Sequence, residues 1–497
     1  MTRAQTASTP PADEPLFIGI DVGTSVAKAA AFDRTGEVVA MASRPIPLLH
    51  PAPGHVEQDP EVIVGSVRAV LSEVVHQVRR HDPAFIAITA QGDGCWLFDE
   101  NGMPVRPGVS WMDGRGAAIL GQWTEKGIPD RIFEINGNVV FPGAAAPILA
   151  WLDANEPESL EAAKTAGYVK DLLLQRFTGT RATDASDASL PFASLESGTD
   201  YATEILELTG LSHRADLLAP IQRPLPSGGL SDRGASGTGL PAGTPLVSAP
   251  FDIPSCAIGA GVNLVGDGLM IAGTTLACGV LVDAADTTGP KAGMTLAMPD
   301  ENRFLRVMAA MVGTASMDWI MRTLDIGFDQ LENTLADSVP GANGVEVLPY
   351  FAPSGERAPF VDTAARAQLS GLSLTTTKAD MVRGVCEGLA YAARHCFESS
   401  GLTGKVYVCG GGSKSRGWLQ IFASVLDRPL LLARAGEVGA RGAVIAGART
   451  LGIDLDVDAW TEPQAMIMPV AEEVDLYEAG YRRYQANLTA ARGTWRR

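Results

Sequence analysis

The sequence predicts an α/β protein made of two domains of related topology that face each other across a deep cleft. The chain has 497 residues, of which 46% are hydrophobic, so it exceeds the usual size of one domain and can form two cores. A stretch rich in Gly, Ser and Pro, residues 224–245, lies near the midpoint and indicates a boundary. Two similar turns that begin at Gly23 and Gly273 lie half a chain apart, which indicates an internal repeat.

We expect an N-terminal domain over 13–250, a C-terminal domain over 251–490, and a polar, disordered lead-in over 1–12 that is neither a signal peptide nor an anchor. No run of about 18 apolar residues occurs, so no membrane span is expected. The net charge of −18 argues against nucleic acid and anionic membranes as partners. The six cysteines include no C-x-x-C pair, which is typical of free thiols in a cytoplasmic protein.

The N-terminal domain is predicted to begin with an antiparallel meander followed by a helix. Apolar runs separated by turn residues occupy 16–20, 26–32 and 38–42. Asp59 and Pro60 supply an N-cap and a first helical residue before apolar residues at helical spacing. The run 85–89 is a further strand, and a polar turn containing Asp93 follows it. In open α/β sheets, ligand contacts usually lie at this end of a strand.

The second half is predicted to repeat the strand–turn–strand pattern over 268–282. A helix follows over 380–396, because its apolar residues share one face and Gly401 can end it. The strand 406–409 then enters a glycine loop and another helix. This layout presents backbone N–H groups to an anion or a nucleotide.

The turn between the first two strands carries groups suited to phosphate. Gly23, Thr24 and Ser25 offer backbone N–H groups and two hydroxyls, and Asp21 offers a carboxylate suited to a hydrated Mg²⁺. Lys28 can bring a positive charge to a transferring phosphoryl group. An ordinary hairpin turn accounts for this motif equally well when it is taken alone.

Two further loops favour phosphate binding over the hairpin alternative. The second Gly-Thr turn comprises Gly273, Thr274 and Thr275, and the glycine loop comprises Gly410, Gly411, Gly412 and Ser413. A glycine loop alone is weak evidence, since flexible loops look the same. No G-x-x-x-x-G-K-[ST] motif occurs, so a P-loop is excluded as the phosphate site.

Asp252 is the leading candidate for a general base. It follows a predicted strand over 245–249 and precedes a run of small and apolar residues, so it lies between a strand end and a helix start. A hydroxyl that attacks ATP needs a positioned carboxylate to accept its proton. The alternative is that Asp252 only N-caps the helix.

Polar and aromatic residues that suit a polyhydroxylated substrate follow the strand 85–89. The expected substrate contacts are Asp93, Trp111, Asp113, Arg115 and Phe251. For Asp113 and Arg115, a surface ion pair of little energetic value is an equal alternative.

With these residues assembled, the chain resembles the FGGY carbohydrate kinase family, the sugar-kinase branch of the hexokinase/actin-type ATPase fold. The resemblance spans about 16–455. It rests on IGIDVGTSVAK, GHVEQDP, SWMDGRGAA, KDLLLQRFTGTRATDASDAS, the Phe251–Asp252 strand end, IAGTT, LSGLSLTTTKADMVRGVCEGLAYAARHC, CGGGSKS and GARGAVIAG. It implies two ribonuclease H-like domains, which agrees with the half-chain repeat.

The resemblance also implies ATP and Mg²⁺ as cofactors. It places Asp21 near Mg²⁺, Lys28 and the turn 23–25 around the transferred phosphate, and Asp252 as general base. The turn 273–275 is implied to bind the other phosphates and the loop 410–413 the adenosine.

Within the family, QGDGCW and YFAPSGERAPFVD resemble erythritol kinases, whereas Gly92–Asp93 replaces the Met-His of D-xylulose kinases. We therefore expect ATP-dependent phosphorylation of a pentulose such as xylulose or a tetritol such as erythritol. The alternative is an actin-like ATP-binding regulatory protein without sugar kinase activity. A homodimer is left open.

Overall fold

The structure is a computed structural model that describes residues 15–78, 82–190, 192–195 and 198–495, so the predicted lead-in over 1–12 lies outside the described residues. The chain forms two compact units. The first runs to Gly261 and includes Thr295–Phe304 and Ala435–Glu462, and the second comprises Val262–Met294, Leu305–Arg434 and the chain from Pro463 onward. The predicted domain bounds, 13–250 and 251–490, stay a proposal.

Up to residue 260 the elements follow in chain order: β1 (Leu16–Val22), β2 (Val26–Phe32), β3 (Val38–Pro45), β4 (Glu57–Gln58), α1 (Pro60–Val78), β5 (Pro83–Ala90), β6 (Trp96–Phe98), β7 (Gly108–Val109), α2 (Ala117–Glu125), α3 (Ile128–Asn136), α4 (Ala145–Asn155), α5 (Pro157–Ala162), β8 (Thr165–Gly167), α6 (Val169–Thr178), β9 (Thr183–Asp184), α7 (Ala185–Ala188), α8 (Thr203–Thr209), β10 (Ile221–Gln222), β11 (Ser227–Gly229), α9 (Asp232–Ala235), β12 (Pro245–Ser248) and α10 (Asp252–Ala260).

The remaining elements are β13 (Gly268–Ala272), β14 (Leu276–Val282), β15 (Met294–Ala297), β16 (Phe304–Ala310), α11 (Thr314–Thr323), α12 (Leu331–Ala336), β17 (Glu346–Leu348), β18 (Gln368–Ser370), α13 (Lys378–Ser400), β19 (Val406–Cys409), α14 (Arg416–Leu426), β20 (Leu430–Leu432), α15 (Val438–Leu451), α16 (Val457–Trp460), β21 (Ala465–Ile467) and α17 (Ala471–Trp495). The predicted meander, glycine-loop strand and long helices are confirmed.

The first unit has a six-stranded mixed sheet in the order β11-β12-β5-β1-β2-β3. β1, β5 and β12 are mutually parallel neighbours, whereas β2 is antiparallel to both β1 and β3. Because parallel strands end at the same edge, the loops after β1, β5 and β12 come together there. Gly23 and Asp93 lie in two of these loops, and Asp252 is the first residue of the helix after the third.

The second unit repeats this arrangement. Six neighbouring strands of its seven-stranded sheet follow the order β16-β14-β13-β19-β20-β21, and β15 lies beside β16. β13 is antiparallel to β14 and parallel to β19, and β20 is parallel to β19 and antiparallel to β21. The strand directions thus match those around β1, β5 and β12, which confirms the predicted repeat of related topology.

Each unit has its own apolar core. In the first unit, residues of β1 such as Ile18 and Ile20 pack with Val67 and Leu71 of α1. In the second unit, α13 contributes Val385 and other apolar side chains to a core that includes β13, β14 and α14. Burying these side chains removes apolar surface from water, which is the main stabilising contribution to each unit. Within the described residues, no helix has the length and apolar character needed to cross a membrane.

Candidate active site

The turn between β1 and β2 holds a carboxylate and an amine side by side. Asp21 and Lys28 face each other in the antiparallel register. Burial raises the pKa of Asp21 to about 6, with nearby Lys28 opposing the rise and Glu437 adding to it. The Lys28 Nζ lies 3.0 Å from Glu437 Oε2. One positive side chain and two carboxylates therefore meet beside this turn, and one of the carboxylates, Glu437, comes from the N-cap of α15.

Thr24, in the same turn, is fixed by a side chain from strand β4 and by one from the loop after β7. The Trp111 Nε1–H donates to Thr24 Oγ1 at 2.9 Å, and the Gln58 amide donates to the Thr24 carbonyl at 2.8 Å. The Gln91 amide, after β5, donates in turn to Gln58 Oε1 at 2.7 Å. The predicted phosphate turn and the predicted substrate residue Trp111 are thus in direct contact. Ser25 is exposed at the tip of the turn.

Asp252 is the first residue of α10, and Phe251 is the N-cap, so the alternative that Asp252 caps this helix is wrong. Loss of solvent around the half-buried carboxyl raises its pKa to about 7, and the charges of Asp21 and Asp187 add to the rise. The N–H of Ile253 opposes it. At neutral pH this carboxyl accepts and releases a proton more readily than an ordinary aspartate.

Asp93 lies in the loop after β5 with only 5% of its surface exposed and with a left-handed backbone, φ 58°. The preceding residue, Gly92, lies against the Phe251 ring, since a Cβ there would be 2.7 Å from a ring carbon. A larger residue at 92 would therefore displace Phe251. The loop after β5 and the start of α10 are in contact, as the prediction of one site requires.

Asp113 and Arg115 form a buried ion pair, so the alternative of a surface pair is wrong. The Arg115 Nε donates to Asp113 Oδ1 at 2.9 Å, and Arg115 Nη2 donates to Glu57 Oε1 at 2.7 Å. Asp113 Oδ2 also accepts from the Val56 N–H at 2.6 Å. These bonds fix the loop that carries Trp111. Direct contact of Asp113 and Arg115 with substrate stays a prediction.

The functional candidates did not include a buried polar cluster on α6, β9 and α7. Lys170 contacts Asp184 and lies 2.8 Å from Asp187 Oδ2, and all three are fully or almost fully buried. Burial raises the pKa of Asp187 to about 7 against the opposing charge of Lys170. The cluster belongs to KDLLLQRFTGTRATDASDAS, which is recognisable from the family resemblance, but no local pattern shows that its charges meet.

In the second unit, the two predicted nucleotide loops lie together. The turn at Gly273 is closed by an N–H to Thr275 O bond of 3.1 Å. After β19, Gly410 has φ 96°, and a Cβ on it would lie 2.7 Å from the carbonyl of Ala272. The glycine loop therefore packs directly on the strand that leads into the turn, and it continues through Ser413 to α14.

One face of the Asp21 carboxylate lies beside a glycine. A Cβ on Gly439 would lie 2.9 Å from Asp21 Oδ2, so the absence of a side chain there keeps this face of the carboxylate clear. Among the described residues, no group of three His, Cys, Asp or Glu side chains is arranged to hold a metal. Mg²⁺ needs only one or two protein carboxylates when water and phosphate complete its shell, so Asp21 fits this ion.

Relatives of known activity match almost the whole chain. An erythritol kinase of Brucella abortus is 30% identical over 97% of this chain and 97% of its own length. A xylulose kinase of Bacillus subtilis is 28% identical over 94% of this chain and 95% of its own length. The crystal structure of a xylulose kinase from Rhodospirillum rubrum has 27% identity and a TM-score of 0.89, and it covers 97% of this chain and 100% of that one.

Two family domains match consecutive parts of the chain. The N-terminal domain of the FGGY family of carbohydrate kinases matches residues 16–259, and the C-terminal domain matches 268–451. The turn at Gly23 lies in the N-terminal match, and the turn at Gly273 and the loop at Gly410 lie in the C-terminal match. The protein is therefore an enzyme that phosphorylates a carbohydrate, and the chain belongs to the FGGY family of carbohydrate kinases.

Proposed function

We propose that the protein transfers the γ-phosphoryl group of ATP to a hydroxyl of a small open-chain sugar or polyol, a tetritol such as erythritol or a pentulose such as xylulose. The observation that carries this proposal is the position of Asp252 at the carboxyl edge of the parallel strands. Burial and the negative charge of Asp21 raise the pKa of Asp252 to about 7. The names of the related erythritol and xylulose kinases support the substrate class.

Asp252 is the proposed general base. It accepts the proton of the substrate hydroxyl as the hydroxyl oxygen forms a bond to the γ-phosphorus. The bond from that phosphorus to the β–γ bridging oxygen breaks, and ADP leaves with the electron pair. The loss of one proton to Asp252 and the transfer of one phosphoryl group balance the reaction.

Asp21 is proposed to hold Mg²⁺, and its carboxylate is left clear by Gly439. Bound Mg²⁺ supplies charge that offsets the phosphate oxygens. The N–H groups and hydroxyls of the turn 23–25 are proposed to bind the transferred phosphoryl group, with Lys28 adding a positive charge. In the second unit, the turn 273–275 is proposed to bind the other phosphates and the loop 410–413 the adenosine.

The substrate is proposed to lie against Asp93, Trp111 and Phe251. Asp93 offers a carboxylate to sugar hydroxyls, and the two aromatic rings offer apolar faces to the carbon chain. Asp113 and Arg115 hold the loop that carries Trp111, and they are proposed to contact the substrate beside that residue. Gly92 leaves the space that the Phe251 ring occupies.

One assay tests this proposal against the alternative of a sugar-independent ATP-binding regulator. ADP release is measured with erythritol, D-xylulose, L-xylulose, D-ribulose, L-ribulose and glycerol, each at saturating ATP and Mg²⁺, and with no polyol. We expect one four- or five-carbon compound to raise the rate at least about tenfold, because a bound hydroxyl is needed for productive attack. Substantial ATP turnover that no compound changes would contradict the proposal and favour the regulator.

A further inference from the structure

The backbone just before Asp252 is held by three buried hydroxyls. The peptide unit that joins Pro250 to Phe251 has one carbonyl and one N–H. The carbonyl accepts bonds from Thr89 Oγ1 and Ser255 Oγ, both at 2.6 Å. The N–H donates to Ser186 Oγ at 3.0 Å. Both polar groups of this peptide unit therefore bond to side chains, whereas the peptide groups of a strand normally bond to the backbone of a neighbouring strand.

The three hydroxyls come from different parts of the first unit. Thr89 lies near the end of β5, Ser186 in α7 and Ser255 in α10, and none is more than 2% exposed. Water cannot substitute easily for a lost bond at this depth, so a missing hydroxyl leaves a buried backbone group without its partner. The peptide unit is thus fixed from both sides.

Ser186 is itself oriented by the buried charge cluster. Its hydroxyl donates to Asp184 Oδ1, and its backbone N–H donates to the same oxygen at 2.8 Å. Because the Ser186 hydroxyl donates its proton to Asp184, its oxygen is oriented to accept the N–H of Phe251. Lys170 contacts the other oxygen of Asp184 and offsets its charge. A continuous chain of bonds therefore runs from Lys170 to the N-cap of α10.

We propose that Ser186 is a positioning residue for phosphoryl transfer, which acts by holding the Pro250–Phe251 peptide unit and so placing the carboxylate of Asp252. Lys170 and Asp184 support this role by orienting the Ser186 hydroxyl. The inference rests on the proposed function of Asp252. Phe251 is the N-cap and Asp252 the next residue, so a rotation of this peptide unit moves the carboxylate directly.

The test compares Ser186→Ala with Ser248→Ala. Ser248 is also buried and ends β12, but its hydroxyl has no hydrogen-bond partner among the described residues. We expect Ser186→Ala to lower kcat by about 10- to 100-fold, because small displacements of a reacting group have effects of this size. KM for the polyol and for ATP should change little. The melting temperature should fall below that of Ser248→Ala, because only Ser186→Ala leaves a buried backbone N–H without its partner.

Ser186→Thr is the rescue variant, because threonine keeps the hydroxyl. It should restore most of the kcat lost in Ser186→Ala, whereas a loss of kcat that the hydroxyl does not restore would contradict the proposal. A kcat for Ser186→Ala within about twofold of the Ser248→Ala value would also overturn it, since misplacing the base must be costly. The activity of the unmodified protein in the same assay tests the proposed function itself. A failure of the proposed function is therefore distinguishable from a failure of the Ser186 proposal.

If Ser186→Ala does not fold, the bonds to the Pro250 carbonyl, at the other side of the same peptide unit, can be removed for the same test. Thr89→Val and Ser255→Ala together remove both bonds to the Pro250 carbonyl and leave Ser186 in place. This pair should lower kcat with little change in KM. An unchanged kcat in the folded double variant would overturn the role of the peptide unit.

Discussion

Asp21 and Asp252 are both aspartates at the same sheet edge, but their surroundings give them different chemistry. Asp21 faces Lys28 in the register of β1 and β2, so part of its negative charge is balanced. The two largest influences on Asp252 are loss of solvent and the charge of Asp21, and both raise its pKa. Both pKa values are raised, but that of Asp21 is the lower of the two, so Asp21 is more fully ionised at neutral pH and suits metal binding, whereas Asp252 suits proton transfer.

Replacing Asp21 with Asn should weaken the response to Mg²⁺. The amide has no charge to offset the cation, so we expect half-maximal activity to need at least about tenfold more Mg²⁺. The measurement is ADP release as a function of free Mg²⁺. Asp33→Asn is the control, because Asp33 serves the next turn of the meander by accepting the N–H of Thr35 at 2.8 Å. An equal Mg²⁺ requirement in both variants would contradict the metal role of Asp21.

Glu387, on α13 in the second unit, should make stability depend on pH. Burial raises its pKa from 4.5 to about 7, against opposing bonds from the Gly341 N–H and from Tyr477 and Arg383. The folded state therefore holds a proton that the unfolded state has lost between these two values. The stabilisation is present below about pH 4.5 and is lost as the pH rises through 7.

Glu387→Gln cannot titrate, so it isolates this contribution. The free energy of unfolding of the natural protein, relative to this variant, should fall by about 2 kcal/mol between pH 5 and 7.5. Urea unfolding at a series of pH values measures the difference. A difference that does not change with pH would show that the Glu387 carboxyl has an ordinary pKa in the folded protein.

At the scale of elements, local signals predicted those parts that are long or capped. The helix predicted over 380–396 is α13, and it extends to Lys378 because Thr377 and Asp380 form a capping box. Short strands such as β4 and β7 were not predicted. Each has two residues, so no alternation exists to mark it, and each forms only because its partner lies opposite.

The contact between α10 and α15 depends on glycine. A Cβ on Gly442 would lie 1.8 Å from the carbonyl of Ser255, and one on Gly259 would lie 2.0 Å from the carbonyl of Val438. The two helix backbones thus approach more closely than any side chain allows. Since α10 begins with Asp252 and α15 passes Asp21 at Gly439, this packing holds both carboxylates in relation to each other.

Gly442→Ala should therefore destabilise the first unit by about 3 kcal/mol, the upper range for overpacking a core. Gly65→Ala is the matched control, because Gly65 is also in a helix, α1, but has open space where the Cβ would be. There alanine should stabilise by up to about 1 kcal/mol. Urea unfolding of both variants measures the two changes. Equal effects would show that α10 and α15 can separate at no cost.

At the scale of the whole molecule, the sequence indicated two sheets of related topology, but it did not indicate that residues 435–462 belong to the first unit. The two Gly-Thr turns predicted two related sheets, since a turn between paired strands carries its own residue signature. The return of residues 435–462 to the first unit brings Glu437 to Lys28, and nothing local to either residue predicts that pair. The same holds for Lys170 and Asp184. Local periodicity reports which side of an element is buried, but not which distant charge is buried with it.

The candidate site shows the same limit. Asp21 and Asp252 were predictable because each follows or ends a recognisable strand and carries chemistry that turns seldom need. Gln58, Ser186 and Gly439 were missed, because each contributes a contact with a distant part of the chain and not a reactive group. Such contacts exist only after the chain has folded.

The central claim is that Asp252 accepts the proton of the substrate hydroxyl, and one comparison tests it most directly. Asp252→Asn and Asp232→Asn both change an aspartate at the first position of a helix, but Asp232 is exposed on α9. With the polyol that the substrate assay identifies, kcat should fall by about 10²- to 10⁴-fold in Asp252→Asn, the range for loss of a general base. ATP binding should persist, and Asp232→Asn should keep its activity. An Asp252→Asn enzyme that retains most of its kcat would contradict the claim.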